Sequence, residues 1–170
     1  MATGTLYGNA VLFTESVSAV TATNTVQLGT VRWEGGKQYR YVYMEQSAQV
    51  GYAVQLTSGG SGYSVTASMV TGDTAHGVVQ NTTMTTATYG WILQRGPATI
   101  QVGSGGVSTS KKITVLSSGS FGDWVTYQNA ANSGSTGNTL GTNWMMIQGR
   151  TLGSAATAGS ILAYVKFSFA

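Results

Sequence analysis

The 170 residues contain no cysteine, one histidine (His76), one proline (Pro97) and only 8 % charged residues. Soluble domains usually carry about 25 %. Without cysteine there is no disulfide framework, no thiolate nucleophile and no cysteine-ligated metal. One histidine cannot supply a His-rich metal site. Eight Lys+Arg and five Asp+Glu leave a net charge of +3. Lys111-Lys112 is the only adjacent basic pair, so the clustered basic stripe of a nucleic-acid groove is missing. No apolar run approaches the roughly 18 residues of a membrane helix. The opening Met1–Phe13 has no basic residue and is interrupted by Gly4, Gly8 and Asn9, unlike a secretory leader. Synthesis and retention in a cytoplasm, with release by assembly or lysis, is the expectation.

What is present suits one folded domain. Apolar residues make up 42 % and aromatics 10 %, enough for a core. Gly, Ser and Thr together fill 67 positions, and most fall in turns or on alternate positions of apolar stretches. The clearest local signal is a hairpin over Thr25–Met44, turning at Gly35-Gly36. Glycines take the positive φ angles that a type I′ turn requires. That register sets Glu34 against Lys37, Arg32 against Tyr39 and Leu28 against Tyr43, and puts Tyr39, Tyr41 and Tyr43 on one face. A second hairpin runs from Tyr52–Thr57 through Ser58–Gly62 to Tyr63–Met69, with Ser64, Thr66 and Ser68 on a solvated side. Further strands are read at 77–80, Tyr89–Gln94, Ala98–Val102, Lys112–Leu116 and Trp144–Leu152, with Arg95-Gly96-Pro97 as a stop. One helical turn is allowed near 123–131. The last strand alternates most clearly: Ile161, Ala163, Val165, Phe167 and Phe169 against Leu162, Tyr164, Lys166 and Ser168. No long segment has apolar residues at helical spacing. The expected fold is all-β, a single β-barrel or sandwich of about eight to ten short strands over 25–170, with residues 1–24 as an N-terminal arm or strand.

Chemistry is hard to build from these residues. A Ser-His-Asp site needs His76 as base, with Asp73 close in sequence, but Thr71–Gly77 reads better as a turn entering a strand. The five carboxylates, Glu15, Glu34, Glu45, Asp73 and Asp123, are isolated, so neither a glycosidase pair nor a two-acid calcium loop is indicated. Gly103-Ser104-Gly105-Gly106 opens no helix and lacks the phosphate-binding Gly-Lys-Ser/Thr, so it reads as a turn. No catalytic residue, cofactor or metal is expected. Trp33, Trp91, Trp124, Trp144 and the tyrosines could form a sugar- or base-stacking platform, but packing in the core or between subunits suits them better. With so little charge, the polar surface must be mainly hydroxyl, amide and backbone. Burying a neutral hydroxyl costs much less than burying Lys or Glu, so such a surface suits coverage by other subunits.

Three stretches carry a resemblance. The first is Leu28-Gly29-Thr30-Val31 to Tyr39-Arg40-Tyr41-Val42, followed by Gln49–Val54. The second is Gly77-Val78-Val79-Gln80, then Tyr89-Gly90-Trp91 running to Arg95-Gly96-Pro97-Ala98. The third is Gly149-Arg150-Thr151-Leu152 with Ala155-Ala156, leading into Ile161–Val165. In this order, across roughly residues 28–168, the chain resembles the small β-barrel head-decoration (cement) proteins of tailed bacteriophages. Residues 1–24 and 117–143 lie outside the likeness. The resemblance implies a non-enzymatic virion protein on the capsid exterior, bound to the major capsid protein, often as a homotrimer, and bridging capsomers. It implies no nucleic-acid or membrane partner. Candidate contact residues are Leu6, Tyr7, Val11, Phe13, Tyr39, Tyr41, Tyr43, Trp124 and Trp144. The alternatives are another virion part, such as a tail or head-fibre component, or a carbohydrate-binding β-sandwich.

Overall fold

A computed structural model of the chain describes residues 6–7, 10–11, 13–57, 62–67, 75–102, 112–115, 124–126, 149–156 and 158–167. The described residues form strands and turns and contain no helix. Thirteen strands follow in order: β1 (Leu6–Tyr7), β2 (Ala10–Val11), β3 (Val20–Thr21), β4 (Val31–Glu34), β5 (Lys37–Met44), β6 (Ala53–Leu56) and β7 (Ser64–Thr66). Then come β8 (Ala75–Val79), β9 (Thr88–Val102), β10 (Lys112–Val115), β11 (Trp124–Thr126), β12 (Gly149–Thr151) and β13 (Gly159–Lys166). The fold is all-β, as the turn spacing implied, although the number of short strands exceeds the expected eight to ten.

Five strands close a barrel. β5 pairs with β9, β9 with β8, β8 with β6, β6 with β7, and β7 returns to β5 in parallel. A second circuit of pairings leaves the same strand: β9 with β13, β13 with β12, β12 with β10, β10 with β11, and β11 back to β9 in parallel at Trp124 and Val102. The 15-residue β9 is therefore common to both circuits. Its first half serves the barrel and its second half pairs with β13.

The barrel interior holds Val42, Met44, Val54, Val65, Val79 and Ile92. A second core joins the outward side of the barrel, through Tyr39, Tyr41, Trp91 and Leu93, to Ala98, Ile100 and Val102 of β9 and to Ile161, Ala163, Val165 and Phe167. Trp91 and Leu93 are odd-numbered, whereas Ala98, Ile100 and Val102 are even. A strand keeps one parity per face unless it gains a residue. β9 gains it where Gln38 faces Arg95 while Tyr39 faces Leu93.

Arg95-Gly96-Pro97 therefore does not stop the strand, contrary to expectation. The amide of Thr99 points to the side-chain oxygen of Gln80 (3.0 Å) and that of Gln101 to the carbonyl of Gly51 (3.0 Å), both away from β13. By the two-residue period the nitrogen of Pro97 lies on that same edge. There β5 has already ended its pairing at Arg95, so no ladder bond is lost.

Other expectations meet mixed outcomes. The β4–β5 hairpin has the expected register, with Glu34 opposite Lys37 and Arg32 opposite Tyr39, and both turn glycines have positive φ. The ion pair of Glu34, however, is with Arg32, two residues away on the same face of β4. Leu28 does not pair with Tyr43. The chain turns at residues 28–29, and Tyr43 pairs with Ser64 and Tyr89. Ser64 and Thr66 are buried instead of solvated: they alternate with Val65, which fills the barrel interior, and on the outer side Thr66 Oγ1 donates to Gln46 Oε1 at 3.0 Å. Residues 124–126 are strand, so the helical turn allowed near 123–131 is absent there. The final strand alternates as expected, with Ile161, Ala163 and Val165 inward.

Candidate interaction surface

The described residues contain no group of three or more His, Cys, Asp or Glu that could hold a metal ion. They contain no helix long and apolar enough to cross a membrane. His76 sits in β8 beside the irregular pairing with β6, and its Nδ1 accepts the Leu56 amide at 3.4 Å. Asp73, the notional triad acid, lies outside the described residues, as does Trp144.

Placement of the candidate contact residues follows from the two cores. Tyr39 and Tyr41 are buried, at 4 % and 1 % exposure, and face this chain's own interior. Burial pushes the pKa of the Tyr39 hydroxyl up. Tyr43 is half-buried and leans on Tyr89 at 5.0 Å. Phe13 meets Trp91 edge-on at 5.4 Å, and the guanidinium of Arg32 lies over both rings. Leu6, Tyr7 and Val11 belong to the β1–β2 hairpin and Trp124 to β11, all placed by backbone pairing. Residues 13–24 lie along the body. Val20 and Thr21 pair with Gly90 and Tyr89, Thr82 bonds the carbonyl of Ser18, and Thr25 bonds the carboxylate of Glu15.

One polar cluster lies at an end of the barrel. Arg40 projects to the same side of β5 as Val42 and Met44. Its Nε donates to Oε1 of Gln94 at 2.8 Å and its Nη1 to the carbonyl of Gly29 at 3.1 Å, with the guanidinium 5.2 Å from the centre of the Tyr63 ring. Gln94 is buried and reaches the carbonyl of His76 through Nε2. Arg40 and Gln94 are both engaged by neighbours in the chain, which suits a structural clasp. Arg40→Met leaves the buried Gln94 oxygen without its donor. The expected loss is about 1–3 kcal/mol in urea unfolding. Arg40→Lys is expected to recover little, because the fork reaching both Gln94 and Gly29 is lost.

The exposed apolar side chains fall mainly in two places. Val31 and Trp33 share one side of β4, whose only strand partner among the described residues is β5. Leu152, Leu162 and Tyr164 stand together on the outward side of β12 and β13, at 51 %, 49 % and 41 % exposure. The amides of Leu152 and Gly153 both donate to the carbonyl of Leu162, which holds the two leucines side by side. None of these five was among the candidate contact residues. Sequence did carry a signal for two of them, since Leu162 and Tyr164 are large apolar residues at the polar positions of the clearest alternating strand.

No protein-family profile matches this sequence, and no curated protein matches it. Among solved structures, the fold is similar to the crystal structure of the head fiber gp8.5 N base in bacteriophage phi29. The TM-score is 0.51 at 7 % sequence identity, covering 78 % of this chain and 97 % of that one. At this identity the likeness is one of fold.

Proposed function

We propose that this chain is a structural protein of a phage particle, seated on the outside of the capsid. The observation that carries the reading is the fold likeness to the phi29 head fiber base, which extends over 97 % of that chain. Two features support it. The sequence stretches that resemble head-decoration proteins fall largely on β5, β8, β9, β12 and β13, strands that contribute to the two circuits. The 8 % charge leaves a surface of hydroxyls and amides that is inexpensive to cover. In this reading the chain performs no catalysis, holds no cofactor and binds neither nucleic acid nor membrane. It associates as a homotrimer, meets the major capsid protein and bridges capsomers. Many weak contacts repeated over a shell add up to tight attachment.

A second reading, the base of a head fibre, is favoured by the identity of the structural neighbour. Imaging of native particles separates the two. A decoration protein gives compact density spanning adjacent capsomers, whereas a fibre base gives density continued outward by a projecting rod. A chain that stays monomeric in light scattering and has no affinity for shells overturns both. A glycan array tests the carbohydrate-binding alternative, and no binding is the expected result.

A further inference from the structure

We propose that the outward face of β12, β13 and the second half of β9 docks this chain on an acidic protein surface of the shell. Leu152, Leu162 and Tyr164 are the apolar centre of that contact, and Arg95, Arg150 and Lys166 are its cationic rim. The inference rests on the virion reading above and names the side of the molecule that meets the particle.

The argument begins with register. Residues directly opposite in antiparallel strands share a face. Arg150 stands opposite Tyr164, and Tyr164 opposite Pro97, so one row crosses all three strands. Lys166 stands opposite Arg95, and Leu162 opposite Thr99. Ile161, Ala163 and Val165 occupy the inner side of β13, which fixes Leu162, Tyr164 and Lys166 outward. Arg95 Nε lies 3.4 Å from the Tyr164 hydroxyl, so a cation already borders the apolar centre. Lys112 adds a fourth basic register position, opposite Arg150 on β10.

Charge of the other sign lies elsewhere among the described residues. Glu34 is on β4 and paired with Arg32. Glu15 accepts from Thr25, and Glu45 accepts from Thr57. Around one apolar patch the chain thus sets Arg95 and Lys166, neither of them in an ion pair among the described residues, with Arg150 in the adjoining row. An apolar centre with a polar rim, rich in Tyr and Arg, is the anatomy of a protein–protein contact. A phosphate backbone gains nothing from two leucines at the centre of the site. A second copy of this chain docking through the same face would set cations against cations, which costs affinity. An acid-rimmed protein surface satisfies both parts of the patch.

The test uses the full chain and phage shells prepared without it, with binding followed by co-sedimentation at low and high salt. The wild-type chain is expected to bind, and less tightly as salt rises. Leu162→Glu is expected to weaken binding by roughly tenfold or more. The double variant Arg95→Glu, Lys166→Glu is expected to weaken it and to flatten the salt dependence. Thr83→Ala, in the exposed loop before β9 and away from this face, is expected to bind as wild type. Unchanged melting profiles show that the outward-facing variants remain folded. If wild type binds and all variants bind equally, the virion reading stands and this face is the wrong one. If wild type does not bind shells, the virion reading fails and takes this inference with it. Loss of self-association with shell binding intact, or loss of binding to added DNA instead, also overturns the proposal.

Discussion

Trp91→Ala is expected to lower the thermal midpoint by about 10 °C, from a stability loss of about 3–5 kcal/mol. Trp91 is 3 % exposed and sits where the segment before β3 meets the barrel. It contacts Phe13 at 5.4 Å and Tyr41 at 5.1 Å, and Arg32 lies 5.8 Å from its ring centre. Truncation therefore removes a large buried surface and two aromatic pairings together. The indole nitrogen has no hydrogen-bond partner, so Trp91→Phe forfeits no bond and is expected to cost much less than Trp91→Ala. Trp33 provides the contrast. It is 60 % exposed, and Trp33→Ala is expected to stay within about 0.5 kcal/mol of wild type. Calorimetry or circular dichroism melting of the three variants checks the order.

Gly51→Ala is expected to cost about 3 kcal/mol or more, measured by urea unfolding. Gly51 has φ near +90°, and a Cβ there would stand 2.8 Å from the backbone nitrogen of Gln101 and 3.2 Å from the carbonyl carbon of Ile100. Backbone atoms in a strand cannot rotate aside as a side-chain tip can. The residue also ties two strands, because its amide donates to Val79 (2.7 Å) and its carbonyl accepts from Gln101 (3.0 Å). Gly35→Ala isolates the conformational part of the effect. Gly35 has φ near +57° and nothing within 4 Å of the added carbon, so it is expected to lose only about 1–2 kcal/mol. A smaller loss at Gly51 than at Gly35 would contradict this account.

The contrast between these glycines also marks what the sequence reveals. Gly35-Gly36 is a local signal: two glycines between alternating stretches specify a turn, and the β4–β5 register follows from it. The inward set of β13 is legible for the same reason, since a period of two is written along one segment. Gly51 carries no such sign. Its need for a missing side chain comes from Gln101, fifty positions on, and only the folded chain brings the two together. The same holds for Ser64 and Thr66, whose hydroxyls read as solvated although residues distant in sequence cover them, Gln46 taking the Thr66 hydroxyl. Pro97 misleads in the opposite direction. It looks like a stop, but it occupies the one edge of β9 where its missing amide has no ladder to break. The proposed docking face is half visible. Leu162 and Tyr164 break the expected polarity of their strand, whereas their grouping with Leu152 and Arg95 depends on long-range pairing.

The sharing of β9 imposes a timetable on synthesis. Every strand of the barrel precedes residue 103, so that unit can close once β9 has left the ribosome. The second circuit must wait for β13, which ends at Lys166. Chains grow at roughly 5–20 residues per second, so the delay is several seconds. Throughout it, one edge of β9 from Arg95 to Val102 awaits its partner. Until β13 arrives, that edge is open to pairing with another chain. Emergence of β13, more than collapse of the first half, sets when the second circuit can close.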